Sequence, residues 1–328
     1  MSILKTLSGI ALGSSLALGS TLSVAQSGGA FQSRAITLVV PYAAGGVTDV
    51  VARMVATSLA RELGQPVVVE SVTGAGGNVG AMKVASAAPD GHMLLITQTS
   101  TVTNPLLDKT FKLDPSSGYT HIAYVGGLPL WLLANPAKTQ YQTLAQLLKK
   151  IRQKPGKLNF GSGGSGSASH LGVAYLEKLE KIQALHVPYR GMSAALNDLM
   201  GGSVDFAFTP VAGTESLVQS GKLKALAITG PTRLKAFPDV PTFAETGQPR
   251  MDVMGWIGVS GPRGIPAPVV AKLNTAVSKV ITEPQLRTAL LERTLLVQAM
   301  TPEQFSNYVH AETSRWQPLI ESTGIKSD

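Results

Sequence analysis

The sequence predicts an α/β protein of two lobes, each a mixed sheet flanked by helices. Three observations carry this expectation. Short β-rich runs alternate with segments whose apolar residues recur at helical spacing along most of the 328 residues. Glycine pairs stand where strands hand over to helices, at Gly45-Gly46 and Gly76-Gly77. Two strand-like stretches, near residues 122–133 and 252–260, are where the chain is expected to cross between lobes, which would leave a hinge and a cleft.

Residues 35–41 form the first β-rich run. Over residues 48–63, Val51, Met54, Val55, Ala56 and Leu59 fall at helical spacing, and Gly64 closes the helix. Residues 67–70 read as a strand, 77–88 as a helix, Pro89-Asp90-Gly91 as a turn and 93–97 as a third strand. This βαβαβ order argues for a mostly parallel sheet. Residues 97–101 read as a polar loop leading to Asn104-Pro105, and 119–134 as two strand-like runs broken by Gly126-Gly127 and Pro129. A second α/β unit follows. Its helices fall over 144–153, 167–180, 194–200 and 215–219, its strands over 158–161, 182–187, 204–208 and 223–228. Residues 250–260 are again strand-like, and helices begin at Pro266, Pro284 and Thr301-Pro302, where Thr301 is the expected cap. These last helices have no strand of their own nearby and are expected to return to the first lobe. Residues 26–125 with 255–328 would then form lobe 1, and 126–254 lobe 2.

The start of the chain reads as an export signal. Lys5 is the only charge in the first 25 residues, an apolar stretch spans 10–22, and Ser23-Val24-Ala25 fits a small-x-small cleavage site. Cleavage is expected before Gln26. No later segment is long and apolar enough to span a bilayer, so a soluble mature protein is expected. The formal charge of +8 is spread out, with Lys149-Lys150-Ile151-Arg152 its densest run, and aromatic residues do not interleave with it. Nucleic acid is therefore not an expected partner, whereas a mild positive field would help collect small anions. Without cysteine there are no disulfides or thiol nucleophiles. His92, His121, His170, His186 and His310 never fall at ligand spacing, so no metal is expected.

Four loops fall at expected strand ends, where open α/β sheets bind ligands. In Tyr42–Asp49 the backbone N–H groups from Ala44, Gly45 and Gly46 onward are candidate anion donors, with Thr48 or Asp49 capping the helix. The turn Gly74-Ala75-Gly76-Gly77-Asn78 offers Gly77 and Asn78 in the same way. Thr99 and Ser100 supply hydroxyls. The run from Phe160 to His170 offers a nest of N–H groups with Ser165, Ser167 and Ser169, which His170 would cap or orient. Arg190 either pairs with a carboxylate in two bonds or forms an ion pair with Asp198 or Asp205 inside its lobe. Trp256 is expected to pack.

Enzymatic patterns fail. The fifth position of a Gly-x-Ser-x-Gly around Ser165 is Ser167, and no lysine follows the glycine-rich loop as a phosphate loop requires. Gly74-x-Gly76-x-x-x-Gly80 is only a relaxed version of a dinucleotide fingerprint. No enzyme activity and no cofactor are expected.

The same residues resemble the Bug family, the periplasmic solute-binding receptors of tripartite tricarboxylate transporters. The resemblance runs from Ile36 to Ile325. It is carried by Val40-Pro41-Tyr42-Ala43-Ala44-Gly45-Gly46-Val47-Thr48-Asp49, Gly64-Gln65-Pro66-Val67-Val68-Val69-Glu70, Gly74-Ala75-Gly76-Gly77-Asn78-Val79-Gly80-Ala81, Ala88-Pro89-Asp90-Gly91, Asn104-Pro105, Val187-Pro188-Tyr189-Arg190-Gly191 and Pro238-Asp239-Val240-Pro241-Thr242-Phe243. It implies a type II Venus flytrap, a monomer in the periplasm, that closes on a small organic anion for membrane subunits of a transporter. It further implies that Tyr42–Asp49 with Gly77-Asn78 grips one carboxylate, and that the loop containing Ser165, Ser167 and Ser169 takes the distal group. The chain departs from the family at Tyr42-Ala43-Ala44, where aromatic-Pro-Pro is usual, at Ser71-Val72-Thr73, where Asn-Arg-Pro is common, and at Thr209, where many members carry an acid. A ligand sensor that signals to a membrane protein, and an exported oxidoreductase, are the alternative readings.

Overall fold

The computed structural model describes residues 34–108, 110–139, 141–189 and 191–323. The expected signal peptide and Arg190 lie outside the described residues. The chain starts with β1 (Ile36–Val40), α1 (Val47–Leu63), β2 (Val67–Ser71), α2 (Asn78–Ala85), β3 (Met93–Gln98), α3 (Thr99–Leu107) and β4 (Tyr119–Leu128). Past Pro129 come β5 (Leu130–Ala134), α4 (Leu144–Gln153), β6 (Asn159–Ser162), α5 (Ala168–Glu180), β7 (Leu185–Pro188), α6 (Met192–Gly201), β8 (Phe206–Pro210), α7 (Glu215–Gln219) and β9 (Lys224–Ile228). Residues 229–254 lead to β10 (Gly255–Pro262), α8 (Ala267–Thr282), α9 (Pro284–Leu291), β11 (Leu296–Val297) and α10 (Pro302–Thr323).

These strands form two mixed sheets. The first has the order β11-β4-β10-β3-β1-β2, with β1 parallel to both β2 and β3 and β10 antiparallel to β3 and β4. β1 is apolar except at Thr37, and Ile36, Leu38, Val39 and Val40 are all buried, as in a parallel strand covered by helices. The second has the order β7-β6-β8-β5-β9, with β6 parallel to β7 and β8 and β5 antiparallel to β8 and β9. The architecture is a two-lobed α/β fold, and α8 and α10 pack on the first sheet through β4.

The chain leaves the first sheet at Leu128 and enters the second at Leu130; Pro129, which has no N–H to give a ladder, separates the two. The return path lies beside it. Leu130 N–H donates to Thr229 Oγ1 (2.9 Å), Thr229 N–H donates to the Leu130 carbonyl (2.7 Å), and Gly255 pairs with Leu128. An apolar cluster runs through this junction, from Tyr124 and Trp256 on the first sheet and Phe305 on α10 to Leu132, Phe160 and Phe208 on the second sheet.

Three local expectations are corrected. Residues 97–101 are not a loop. Gln98 ends β3 and α3 begins at once, with Gln98 N–H donating to Thr101 Oγ1 (3.1 Å). Its sequence carries Pro105 and four threonines or serines and is a poor helix former, but Val102, Thr103 and Leu107 are buried and α10 packs across it. Gly126-Gly127 does not break β4; a Cβ at Gly126 would lie 2.7 Å from the Leu296 carbonyl, so glycine lets β11 close the sheet edge. The strand expected over 250–260 begins only at Gly255.

Candidate functional site

A cleft of about 600 Å³ opens between the two sheets, at the carboxyl ends of β1, β3, β6 and β8. Its first-lobe wall is polar. Tyr42, Gly46, Val47 and Thr48 come from the turn after β1, Gln98, Thr99, Ser100 and Asn104 from the start of α3, and Gly76 from the turn before α2. No side chain caps α1 at Gly46, which leaves its first-turn N–H groups and the positive end of a 17-residue helix for an acceptor brought from outside. The side chains around it are held in place. Thr48 Oγ1 donates to Gln98 Oε1 (3.0 Å), and Tyr42 and Ser100 share a hydroxyl–hydroxyl hydrogen bond. Whichever of that pair donates, the other keeps a proton to offer. Burial pushes the Tyr42 hydroxyl up, so it stays protonated. Thr99 Oγ1 is buried with no hydrogen-bond partner among the described residues.

The second-lobe wall differs. The Gly/Ser loop between β6 and α5 contributes Gly163, Ser165, Gly166, Ser167 and Ala168, the start of α6 contributes Met192, Ser193 and Leu196, and the segment ending β8 contributes Thr209, Pro210, Ala212, Gly213 and Thr214. The loop uses its own donors. Gly163 N–H donates to Ser169 Oγ (3.0 Å), Gly164 N–H to Ser162 Oγ (3.2 Å), Gly166 N–H to His170 Nδ1 (3.1 Å) and Ser167 N–H to the Gly164 carbonyl (3.2 Å). Ser167 Oγ caps α5 by accepting from His170 N–H (3.3 Å) and donates to the Gly164 carbonyl (2.6 Å). Leu128, Leu130 and Trp256 line the cleft where the two crossings meet.

Of the residues expected at the site, Tyr42, Gly46, Thr48, Thr99, Ser100, Ser165, Ser167 and Thr209 line this cleft, and Ala44, Gly45, Asp49, Gly77, Asn78 and Ser169 do not. Asp49 is buried behind its loop. It accepts from Gly45 N–H (3.0 Å), Ser71 Oγ (3.3 Å) and the Arg53 guanidinium (2.9 and 3.0 Å), and Arg53 holds its carboxyl below the usual range. That fastens the first loop and uses the Gly45 donor. Ala44 is exposed outside the cleft. The turn Ala75–Gly77 is a short 3-10 helix in which Gly77 N–H donates to the Gly74 carbonyl (2.9 Å) and Asn78 N–H to that of Ala75. These donors are therefore used, and Asn78 instead accepts from Asn104 Nδ2 (3.1 Å). Ser169 serves the loop itself, bonding Gly163 N–H and Ser167 Oγ. Trp256 is buried in the junction yet also reaches the cleft.

Gln98, Met192, Ser193, Leu196, Ala212 and Thr214 also line the cleft, and nothing in their local sequence marks them. Asn104, in the Asn104-Pro105 motif, reaches it through α3, whose helical start the sequence conceals. The Thr214 hydroxyl is engaged, accepting from Trp131 Nε1 (3.0 Å) and donating to the Pro210 carbonyl (2.9 Å). Ser162 Oγ lies 2.6 Å from His186 Nε2, the geometry of an activated hydroxyl, but Ser162 is fully buried and cannot reach a substrate there. Among the described residues no three His, Asp or Glu side chains gather as a metal site.

Fold and cleft together define a two-lobed solute-binding protein. Residues 51–325 match the family described as tripartite tricarboxylate transporter family receptor. A UPF0065 protein from the tcbD–tcbE intergenic region of Pseudomonas sp. strain P51 is 36% identical over 317 residues, covering 96% of this chain and 93% of that one. The solved structure of the periplasmic binding protein BugD is 32% identical with a TM-score of 0.77, covering 90% of this chain and all of that one. That of MatC from Rhodopseudomonas palustris, with bound malate, is 35% identical with a TM-score of 0.76, covering 88% of this chain and 99% of that one. The chain belongs to the tripartite tricarboxylate transporter receptor family, the Bug proteins, which are periplasmic solute-binding receptors.

Proposed function

We propose that this protein captures a small carboxylate in the interlobe cleft and delivers it to the membrane subunits of a tripartite tricarboxylate-type transporter. The observation that carries the reading is the uncapped start of α1 beside the Tyr42–Ser100 hydroxyl pair and the unpartnered Thr99 Oγ1. A helix N-terminus and neutral donors stabilise an anion without a formal counter-charge. The malate bound to the related MatC supports the ligand class. Ligand-stripped protein is expected to gain about 2.7 kcal/mol of stability at a hundredfold excess of a cognate carboxylate over Kd. A thermal-shift series in which no organic acid raises Tm overturns the proposal.

Residues 1–25 act in this reading as a cleaved export signal. Protein recovered from the periplasm is expected to begin at Gln26, and an intact Met1 on that material would refute cleavage.

A further inference from the structure

The two walls of the cleft differ in chemistry. The first lobe presents hydroxyls, amides and the uncapped start of α1. The opposite wall and the floor are lined by Leu128, Leu130, Met192, Leu196, Pro210 and Ala212. Met192 packs against a buried apolar cluster that includes Leu196 and Trp131, so this surface continues the core of the second lobe. The polar groups on that side are largely engaged already: Ser167 caps α5, Thr214 joins Trp131 to Pro210, and the N–H groups of Gly163, Gly164, Gly166 and Ser167 are bonded inside their loop. Ser193, Thr209 and the opening N–H groups of α6, which no side chain caps, remain, set among these apolar side chains. None of the described residues lining the cleft is charged.

We infer that the ligand is a monocarboxylate with an apolar body, alkyl or aromatic, its acid group on the first lobe and its uncharged end against Met192 and Leu196. This rests on the carboxylate reading above and narrows it. A second carboxylate placed against Met192 and Leu196 would lose its hydration to apolar side chains, whereas a hydrocarbon end removes apolar surface from water on both sides.

Calorimetric titration of ligand-stripped protein with acids paired by skeleton tests it: hexanoate against adipate, benzoate against terephthalate, and butyrate against succinate. The monoacid of the best-bound pair is expected to bind at least about tenfold more tightly than its diacid. Met192→Lys, which places a cation on the apolar wall, is expected to narrow or reverse that ratio while leaving the thermal transition cooperative. A diacid that binds the wild type as tightly as its partner overturns the inference and leaves the carboxylate reading standing, as does a diacid preference abolished by Arg190→Ala. Failure of every acid to bind overturns both.

Discussion

Asp49 shows how a charged residue can serve an anion site without touching the anion. Its carboxylate is 2% exposed and satisfies Gly45 N–H and Ser71 Oγ while Arg53 neutralises it. The negative charge is thereby kept off the cleft, and the turn before α1 is held still. Asp49→Ala strands the Gly45 donor and is expected to cost about 1–3 kcal/mol, read as a lower urea midpoint. Tyr42→Phe removes a donor from the Tyr42–Ser100 pair. If the pair serves a carboxylate, the loss is about 1.5–3 kcal/mol, roughly ten- to a hundredfold in Kd by calorimetry. An unchanged Kd would remove Tyr42 from the site.

At the scale of elements, His121 ties three strands together. Its Nε2 lies 3.1 Å from the Pro115 carbonyl, which can only accept, so Nε2 carries the proton and Nδ1 accepts from Ser260 Oγ at 3.0 Å. Ser260 on β10 in turn lies 3.3 Å from Thr97 Oγ1 on β3. Burial pushes the imidazole down to about 4, from an ordinary 6.5. The unfolded chain takes up a proton below pH 6.5 that the fold refuses until about pH 4, so stability is full above pH 6.5 and falls through that window. The loss attributable to this group is about 3 kcal/mol. Urea midpoints measured from pH 7 to pH 4 are expected to fall more steeply in the wild type than in His121→Gln, and parallel curves would contradict the assignment.

At the scale of the molecule, the lobes meet in more places than the two crossings. Trp316 on α10 stands edge-on to Tyr175 on α5, ring centres 6.1 Å apart, and Leu107 on α3 covers Gly166 in the Gly/Ser loop. A Cβ at Gly166 would lie 2.0 Å from Leu107 Cδ1, and its backbone sits at φ +75°, where a side chain costs about 1–2 kcal/mol. Gly166→Ala is therefore expected to oppose this approach of the lobes and weaken ligand binding, because apparent affinity falls with the population of the binding arrangement. Small-angle scattering of the ligand-saturated variant should give a larger radius of gyration than the wild type, and identical radii and Kd would show that the contact has no part in closure.

Much of this was legible locally. β-rich runs and helical spacing with glycine at the handovers determined the α/β class, and the motifs from Val40 to Asp49 and from Val187 to Gly191 pointed to the family, because such patterns depend only on neighbours a few residues away. The usable chemistry of the cleft did not follow the same rule. Gly77, Asn78 and the Gly/Ser loop look like donors in sequence, yet each N–H is available only if no acceptor of its own turn has taken it. Asn104 and Gln98 reach the cleft because α3 is helical despite its composition, held so by α10 some two hundred residues away. The apolar wall exists because Met192 and Leu196 extend a core completed by Trp131 and Val204 from other elements. Local periodicity determined the class of fold, and the donors of Gly77 and of the Gly/Ser loop are consumed within their own turns; which further residues reach the cleft, and what faces them, was decided by contacts between residues far apart in sequence.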